Sequence, residues 1–156
     1  MLKIRIIALG KDKENWVTGG VEHYLTLLSK FARVSIDIIP APKTSPSLSP
    51  AQIRREESAL LAGKRSGGYC IALSETGKRY DSLALSKLID RLQITSGGKI
   101  EFLIGGPYGM DDQLLSDTDA VLSLSDLTFP HQLVRLILLE QLYRAFTILN
   151  NTSYHK

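Results

Sequence analysis

A chain of 156 residues is long enough to enclose one substantial core, and 44% hydrophobic with 22% charged residues is the composition of a folded globular protein, not a disordered one. Met1–Gly10 alternates basic and branched apolar residues without the apolar centre of an export signal, and no apolar run, Leu136–Leu139 included, approaches a bilayer span. The net charge of +3 is unevenly spread: residues 1–66 hold eleven Lys/Arg against six Asp/Glu, residues 67–130 five against nine, and residues 131–156 three against one, so the amino-terminal part either attracts phosphates or is ordinary solvated surface.

In chain order, Leu2–Leu9 reads as a strand turning at Gly10. Asn15–Phe31 carries Val17, Val21, Tyr24, Leu25, Leu28 and Phe31 at helical spacing. Val34–Ile39 is a short β-branched strand ended by Pro40. The proline- and serine-rich stretch Pro40–Pro50 is an exposed loop, after which Ser49 caps a helix that has Pro50 in its first turn and runs to about Lys64. Gly68–Leu73 is apolar enough for a central strand. A helix follows from Asp81 or Ser82 to about Leu92, then a strand at Lys99–Ile104, a short helix at Asp111–Leu115 and a fifth strand at Ala120–Leu124. Pro130 opens a long last helix ending near Asn150. The repeated strand-then-helix order predicts an α/β fold over residues 1–156 as one domain, with a mainly parallel sheet, helices on both faces and ligands beyond the carboxyl ends of the strands.

The last helix is apolar on nearly every side, through Leu133, Val134, Leu136, Ile137, Leu138, Leu139, Leu142, Tyr143, Phe146, Ile148 and Leu149. A surface helix needs one apolar stripe, and one that is apolar all round must be covered. A second copy in an isologous dimer supplies that cover; the alternative is a helix sandwiched within one chain.

The lone Cys70 excludes an intramolecular disulfide and sits in an apolar strand, where a buried inert thiol is expected. His23, His131 and His155 show no metal-ligand spacing, so a reducing cytoplasm and a reaction without bound metal are expected. Three strand-end loops remain for chemistry, after Leu73, after Ile104 and after Leu124. Gly105-Gly106-Pro107-Tyr108-Gly109 fits neither a phosphate-binding P-loop nor a dinucleotide fingerprint, and alone it reads equally well as a plain turn. Leu124-Ser125-Asp126-Leu127-Thr128-Phe129 offers backbone groups beside apolar side chains, a setting for both the polar edge and the flat face of an adenine. The tail ends Tyr154-His155-Lys156, either a loose polar terminus or an aromatic face, an imidazole and a cation suited to a stacked base and its phosphate.

Three blocks in order carry a resemblance. Phe102-Leu103-Ile104-Gly105-Gly106-Pro107-Tyr108-Gly109 is the first. Leu122-Ser123-Leu124-Ser125-Asp126-Leu127-Thr128-Phe129-Pro130-His131 with Leu133-Val134-Arg135 is the second. Glu140-Gln141-Leu142-Tyr143-Arg144-Ala145-Phe146 with Tyr154-His155 is the third. Together with the start Met1-Leu2-Lys3-Ile4 they resemble the RlmH (YbeA-like) family of SPOUT methyltransferases along the whole chain. The resemblance implies an α/β knot fold with a C-terminal trefoil knot, which periodicity alone would not suggest, and an obligate homodimer. It also implies S-adenosylmethionine as methyl donor and methylation of N3 of a pseudouridine in large-subunit (23S) rRNA on the assembled ribosome. The donor pocket then maps onto Leu73, Gly105, Leu124, Ser125, Asp126, Leu127, Thr128 and Phe129, and Tyr154, His155 and Arg144 become the substrate-facing residues. Ser74-Glu75-Thr76-Gly77 replaces a more acidic loop, and Tyr108 is bulky for its position.

A sulfonium donor needs positioning and proton removal more than a covalent nucleophile. His155 is the candidate acceptor for the N3 proton, helped by Arg144 or Lys156, since imidazoles titrate near neutrality; His131 is expected to be structural. Competing readings are ribose 2′-O-methylation by another SPOUT enzyme and a non-catalytic ribosome-binding module that has lost donor binding.

Overall fold

The computed structural model describes residues 1–10, 14–43 and 45–156, so position 44 of the proline-rich loop and the charges at positions 11–13 lie outside the described residues. Ten elements follow one another: β1 (Lys3–Leu9), α1 (Asn15–Leu28), β2 (Arg33–Ile39), α2 (Pro50–Gly63), β3 (Tyr69–Arg79), α3 (Ser82–Thr95), β4 (Lys99–Ile104), α4 (Asp112–Ser116), β5 (Ala120–Ser123) and α5 (His131–Leu149). The strands form one parallel sheet in the order β2-β1-β4-β3-β5.

Alternation along the strands divides the core. Ile4, Ile6, Ile71, Ile100, Phe102 and Leu122 pack against α1, α3 and α5. Ile7, Leu9, Cys70, Ala72 and Leu103 pack on the other face against Leu61 of α2 and Leu114 of α4. Helix starts follow their side chains. Ser49 Oγ accepts from the Gln52 N–H while the Gln52 side chain takes the Ser49 N–H, a reciprocal capping box. Asp81 and Asp111 accept from Ala84 and Leu114.

Three boundaries differ from expectation, one of them being the end of α3, which runs three residues past Leu92 to Thr95. Helix α1 stops at Leu28, three residues before Phe31, because the chain tightens through Phe31 N–H to Leu28 O and Ser29 Oγ to Thr26 O. Strand β3 does not end at Leu73 but continues to Arg79. Its pairing with β5 is shifted, so that Leu73 and Lys78 both stand opposite Leu122. Gly77 makes this possible, since a Cβ there would lie 2.7 Å from backbone atoms of Val121 and Leu122.

Helix α5 lies between α1 and α3, and none of its residues is fully exposed. One chain therefore covers more of α5 than its all-round apolarity suggested, while Leu133, Val134, Leu136 and Ile137 stay only half-buried. The start of α5 is fixed to the end of β1: the buried Arg135 guanidinium donates to Leu9 O at 2.6 Å. Gly10 sits at φ +101°, which favours glycine, and a Cβ there would come within 3.2 Å of His131 Nε2 and 3.4 Å of Arg135 Nη2. No helix among the described residues is long and apolar enough to cross a membrane.

Candidate functional site

Strands β4, β3 and β5 are neighbours, so the segments that follow Ile104, Leu73 and Ser123 emerge side by side. Between them opens a cleft of about 410 Å³, within the range of sites for small organic ligands. Of the eight residues expected there, Leu73, Gly105, Leu124, Ser125, Leu127, Thr128 and Phe129 line it. Asp126 does not; its carboxylate turns outward to the Arg79 guanidinium in an exposed ion pair.

Each wall is built locally. The 124–129 segment is shaped by Ser123 Oγ donating to Ser125 O at 3.1 Å and by the Leu127 N–H donating to Ser125 Oγ at 3.0 Å. The glycine segment folds back as a tight turn, Gly109 N–H to Gly106 O at 3.0 Å, with Gly109 at φ +77°. Arg54 of α2 ties this turn down by donating from Nε to Tyr108 O at 2.8 Å. Behind it stands Glu57 of α2, only 4% exposed, whose burial pushes its carboxyl up from the ordinary range. His131 and Val134, on the first turn of α5, complete the cleft.

Arg54 and Glu57 escape sequence reading because α2 carries no motif; their i, i+3 spacing is the single trace of a shared face. Ser74 and Thr76, whose hydroxyls lie 3.0 Å apart, join the cleft because the β3 extension turns an expected free loop into a wall. His131, expected to be structural, also faces the cleft.

Arg144, Tyr154 and His155 form a second cluster elsewhere. Glu140 Oε1 accepts from Arg144 Nε at 3.1 Å and Nη2 at 2.6 Å. That pairing raises the guanidinium above its ordinary range and keeps it a cation. The Arg144 guanidinium lies over the Tyr154 ring, 4.9 Å from its centre, and Tyr154 sets its edge on Tyr143 at 4.8 Å. Tyr154 Oη is 3.1 Å from Glu140 Oε1 and 3.3 Å from Tyr24 Oη. Partial burial and these two hydrogen bonds push the phenol up, so it stays protonated at neutral pH. Arg144 Nη1 lies 3.2 Å from His155 Nδ1. A guanidinium only donates, so in this contact the ring nitrogen is the acceptor.

The two clusters do not meet within one chain. Arg144 is thirteen residues beyond His131 on α5, about 20 Å along the helix. Its neighbour Phe146 stacks on Phe31 at 5.6 Å, just before β2 begins. The tail thus occupies the amino-terminal end of the sheet and the cleft the carboxyl-terminal end.

The family model described as "Predicted SPOUT methyltransferase" matches residues 2–155. A ribosomal RNA large subunit methyltransferase H from Desulforamulus reducens is 39% identical over 160 residues, with 100% of each chain covered. A protein of the same name from Enterococcus faecalis is 36% identical, with 99% of this chain and 100% of that one covered. Among solved structures, a tRNA methyltransferase from Aquifex aeolicus superposes with a TM-score of 0.54 at 14% identity, over 91% of this chain and 69% of that one, a likeness of fold. The full-length family match and the full-length relatives agree: the chain belongs to the SPOUT methyltransferase family.

Proposed function

We propose that this methyltransferase is a single-domain cytoplasmic enzyme that transfers a methyl group from S-adenosylmethionine to large-subunit rRNA, working as a homodimer whose active site is shared between subunits. The observation that carries the reading is the separation of a donor-sized cleft from a base-recognition cluster by most of the length of α5. A two-fold axis across α5 runs the two copies of the helix antiparallel and brings each tail to the partner's cleft. The exposure of Leu127 (72%) and Trp16 (59%) supports such a cover. The target implied by the RlmH resemblance, N3 of a pseudouridine in 23S rRNA on the assembled ribosome, belongs to the same reading, as does the threading of the C-terminal part as a trefoil knot.

The cleft fits the donor. Leu73, Leu124, Leu127 and Phe129 offer apolar walls for an adenine, the ordered 124–129 backbone offers polar groups for its edge, and Gly105 lets main chain approach closely. When bound there, S-adenosylmethionine supplies a methyl group already activated on a sulfonium. The chain's own work is to align and to handle one proton. Holding the acceptor nitrogen in line lowers the barrier by several kcal/mol, about 7 at the low end. Tyr154 presents an aromatic face to the base, and Arg144 stays charged to stabilise negative charge developing on the carbonyls beside N3. His155 takes the N3 proton on Nδ1 once the tail leaves Arg144 to enter the partner's cleft.

Mixed dimers test the arrangement. A cleft variant, Gly105→Trp, and a tail variant, His155→Ala, are each expected to be inactive on large ribosomal subunits. Mixing them regenerates one intact composite site in a mixed dimer, with activity recovered toward a quarter to a half of the wild-type value. Tight binding of S-adenosylmethionine by His155→Ala in isothermal titration is the accompanying expectation. No recovery on mixing refutes the shared site, and near-wild-type turnover of His155→Ala at saturating donor rejects the proton-acceptor role.

A further inference from the structure

We infer that a row of three cations at the amino-terminal end of the sheet, Lys3, Arg33 and Lys99, grips the phosphate backbone of the RNA substrate. Lys3 is the register partner of both Arg33 on β2 and Lys99 on β4. The three side chains therefore leave adjacent parallel strands on one face, about 4.8 Å apart from strand to strand. Their neighbours Ile4, Val34 and Ile100 point into the core beneath α1, α3 and α5, so the cations take the opposite face, and all three are exposed.

The row borders a hollow of about 370 Å³ that Arg5, Ser66 and Glu101 also line. Glu101 is the one carboxylate that lines it, bonded through Oε1 while its Oε2 makes no hydrogen bond among the described residues, and Asp37 lies outside the hollow. Asp37 accepts from Arg5 Nε at 2.7 Å, and the buried Glu101 accepts from Ser66 N–H at 2.8 Å and Ser66 Oγ at 2.6 Å. Among the described residues Lys3, Arg33 and Lys99 form no ion pair. Like charges placed side by side across strands destabilise a sheet, and these exposed side chains gain no packing in return. A polyanion laid across the row turns that repulsion into attraction, and a row about 10 Å long suits roughly two backbone phosphates.

The location selects RNA as that polyanion, and here the inference rests on the shared-site reading above. The row lies at the same end of the sheet as the Arg144–Tyr154–His155 cluster, on the opposite face from α5, and the partner's cleft comes to this end in the antiparallel dimer. Nucleotides flanking the target base then pass the row. The contact reads charge and not sequence, adding affinity and register without touching the reacting atoms.

The test is the salt dependence of binding to isolated large ribosomal subunits, comparing wild-type protein with the Lys3→Gln/Arg33→Gln/Lys99→Gln variant. Each phosphate contact contributes about 0.7 (single strand) to 0.9 (duplex) to the slope of log affinity against log salt. The slope of the variant is expected to be shallower by about 2. Raising salt about fourfold then costs the wild type roughly tenfold more affinity than it costs the variant. Donor binding by isothermal titration and the melting temperature at moderate salt should match wild type. Lys3→Arg/Lys99→Arg should keep the wild-type slope. Equal slopes for wild type and the triple variant overturn the inference, as does an equal loss in the charge-keeping variant. Wild-type protein that binds neither donor nor subunits brings down the functional reading itself, whereas binding of both with unchanged slopes removes the cation row alone. Should the triple variant misfold, Lys99→Gln by itself is read in its place, with an expected slope change of about 0.7 to 0.9.

Discussion

Replacing Gly106 with alanine should deform the cleft from behind. A Cβ built on Gly106 falls 2.4 Å from Glu57 Oε2 and 3.3 Å from Glu57 Cδ and Oε1. Ordinary contact needs about 3.5 Å, so something must move by about 1 Å. Glu57 ends in a rotatable carboxyl, but it is buried between α2 and the glycine turn, and the turn is tied to the same helix by Arg54. The strain is therefore divided between Glu57 and a displacement of the turn into the cleft. Overpacking of this kind costs about 1–3 kcal/mol. If the turn carries the whole of it, S-adenosylmethionine affinity drops roughly 5- to 150-fold. Urea unfolding measures the stability loss and isothermal titration the affinity loss. Glu57→Ala removes the opposing carboxyl, so the double variant should regain most of both losses, a coupling expected of residues in direct contact. Gly106→Ala with wild-type stability and affinity, or a double variant no better than Gly106→Ala, refutes the reasoning.

Gly77→Ala offers no such escape, because its Cβ meets main-chain atoms of Val121 and Leu122 at 2.7 Å; a loss of about 3 kcal/mol is expected in denaturant unfolding, and a shift of a few tenths would mean that β3 and β5 separate easily there. The buried Glu57 carboxyl lies above its usual 4.5, so its ionised form is the one folding disfavours. The stability associated with it is fully present below about pH 4.5 and is lost as pH rises through the raised value. Glu57→Gln should accordingly gain over wild type in urea unfolding at about pH 7 and lose that advantage by about pH 4, whereas a constant difference would point to packing. Tyr154→Phe removes the hydroxyl links to Glu140 and Tyr24 and keeps the ring between Arg144 and Tyr143. Tail opening should become easier by about 1 kcal/mol, read as faster amide exchange over residues 150–156, and unchanged exchange would show that the hydroxyl does not hold the tail.

The layered fold is legible in the sequence because strands buried on both faces read as apolar runs and helices as 3.6-residue periods, so all ten elements are anticipated. What is not legible is the path of β3 beyond Leu73. Ser74-Glu75-Thr76-Gly77 has a loop's composition, and it becomes strand because Gly77 lets two backbones touch. Most cleft residues follow from position, lying at or just beyond a strand end; the exceptions are Arg54 of α2, Asp112 and Leu115 of α4, and the first turn of α5. Arg54 and Glu57 reach the cleft through the placement of α2 across the sheet, which no local pattern encodes. Likewise Arg144, Tyr154 and His155 can be picked out by type, whereas their distance from the cleft appears once α5 is laid along the sheet.

The strand order has a consequence for how the molecule is made. β4 sits between β1 and β3, so β1 has just β2 beside it until residue 104 has been synthesised. Its last carbonyl, on Leu9, is closed by Arg135, which lies 126 positions later. Contacts of such sequence separation form slowly and late. One edge of β1 therefore stays unpaired for roughly two-thirds of the synthesis of these 156 residues, and the clasp on its end closes after α5 has emerged.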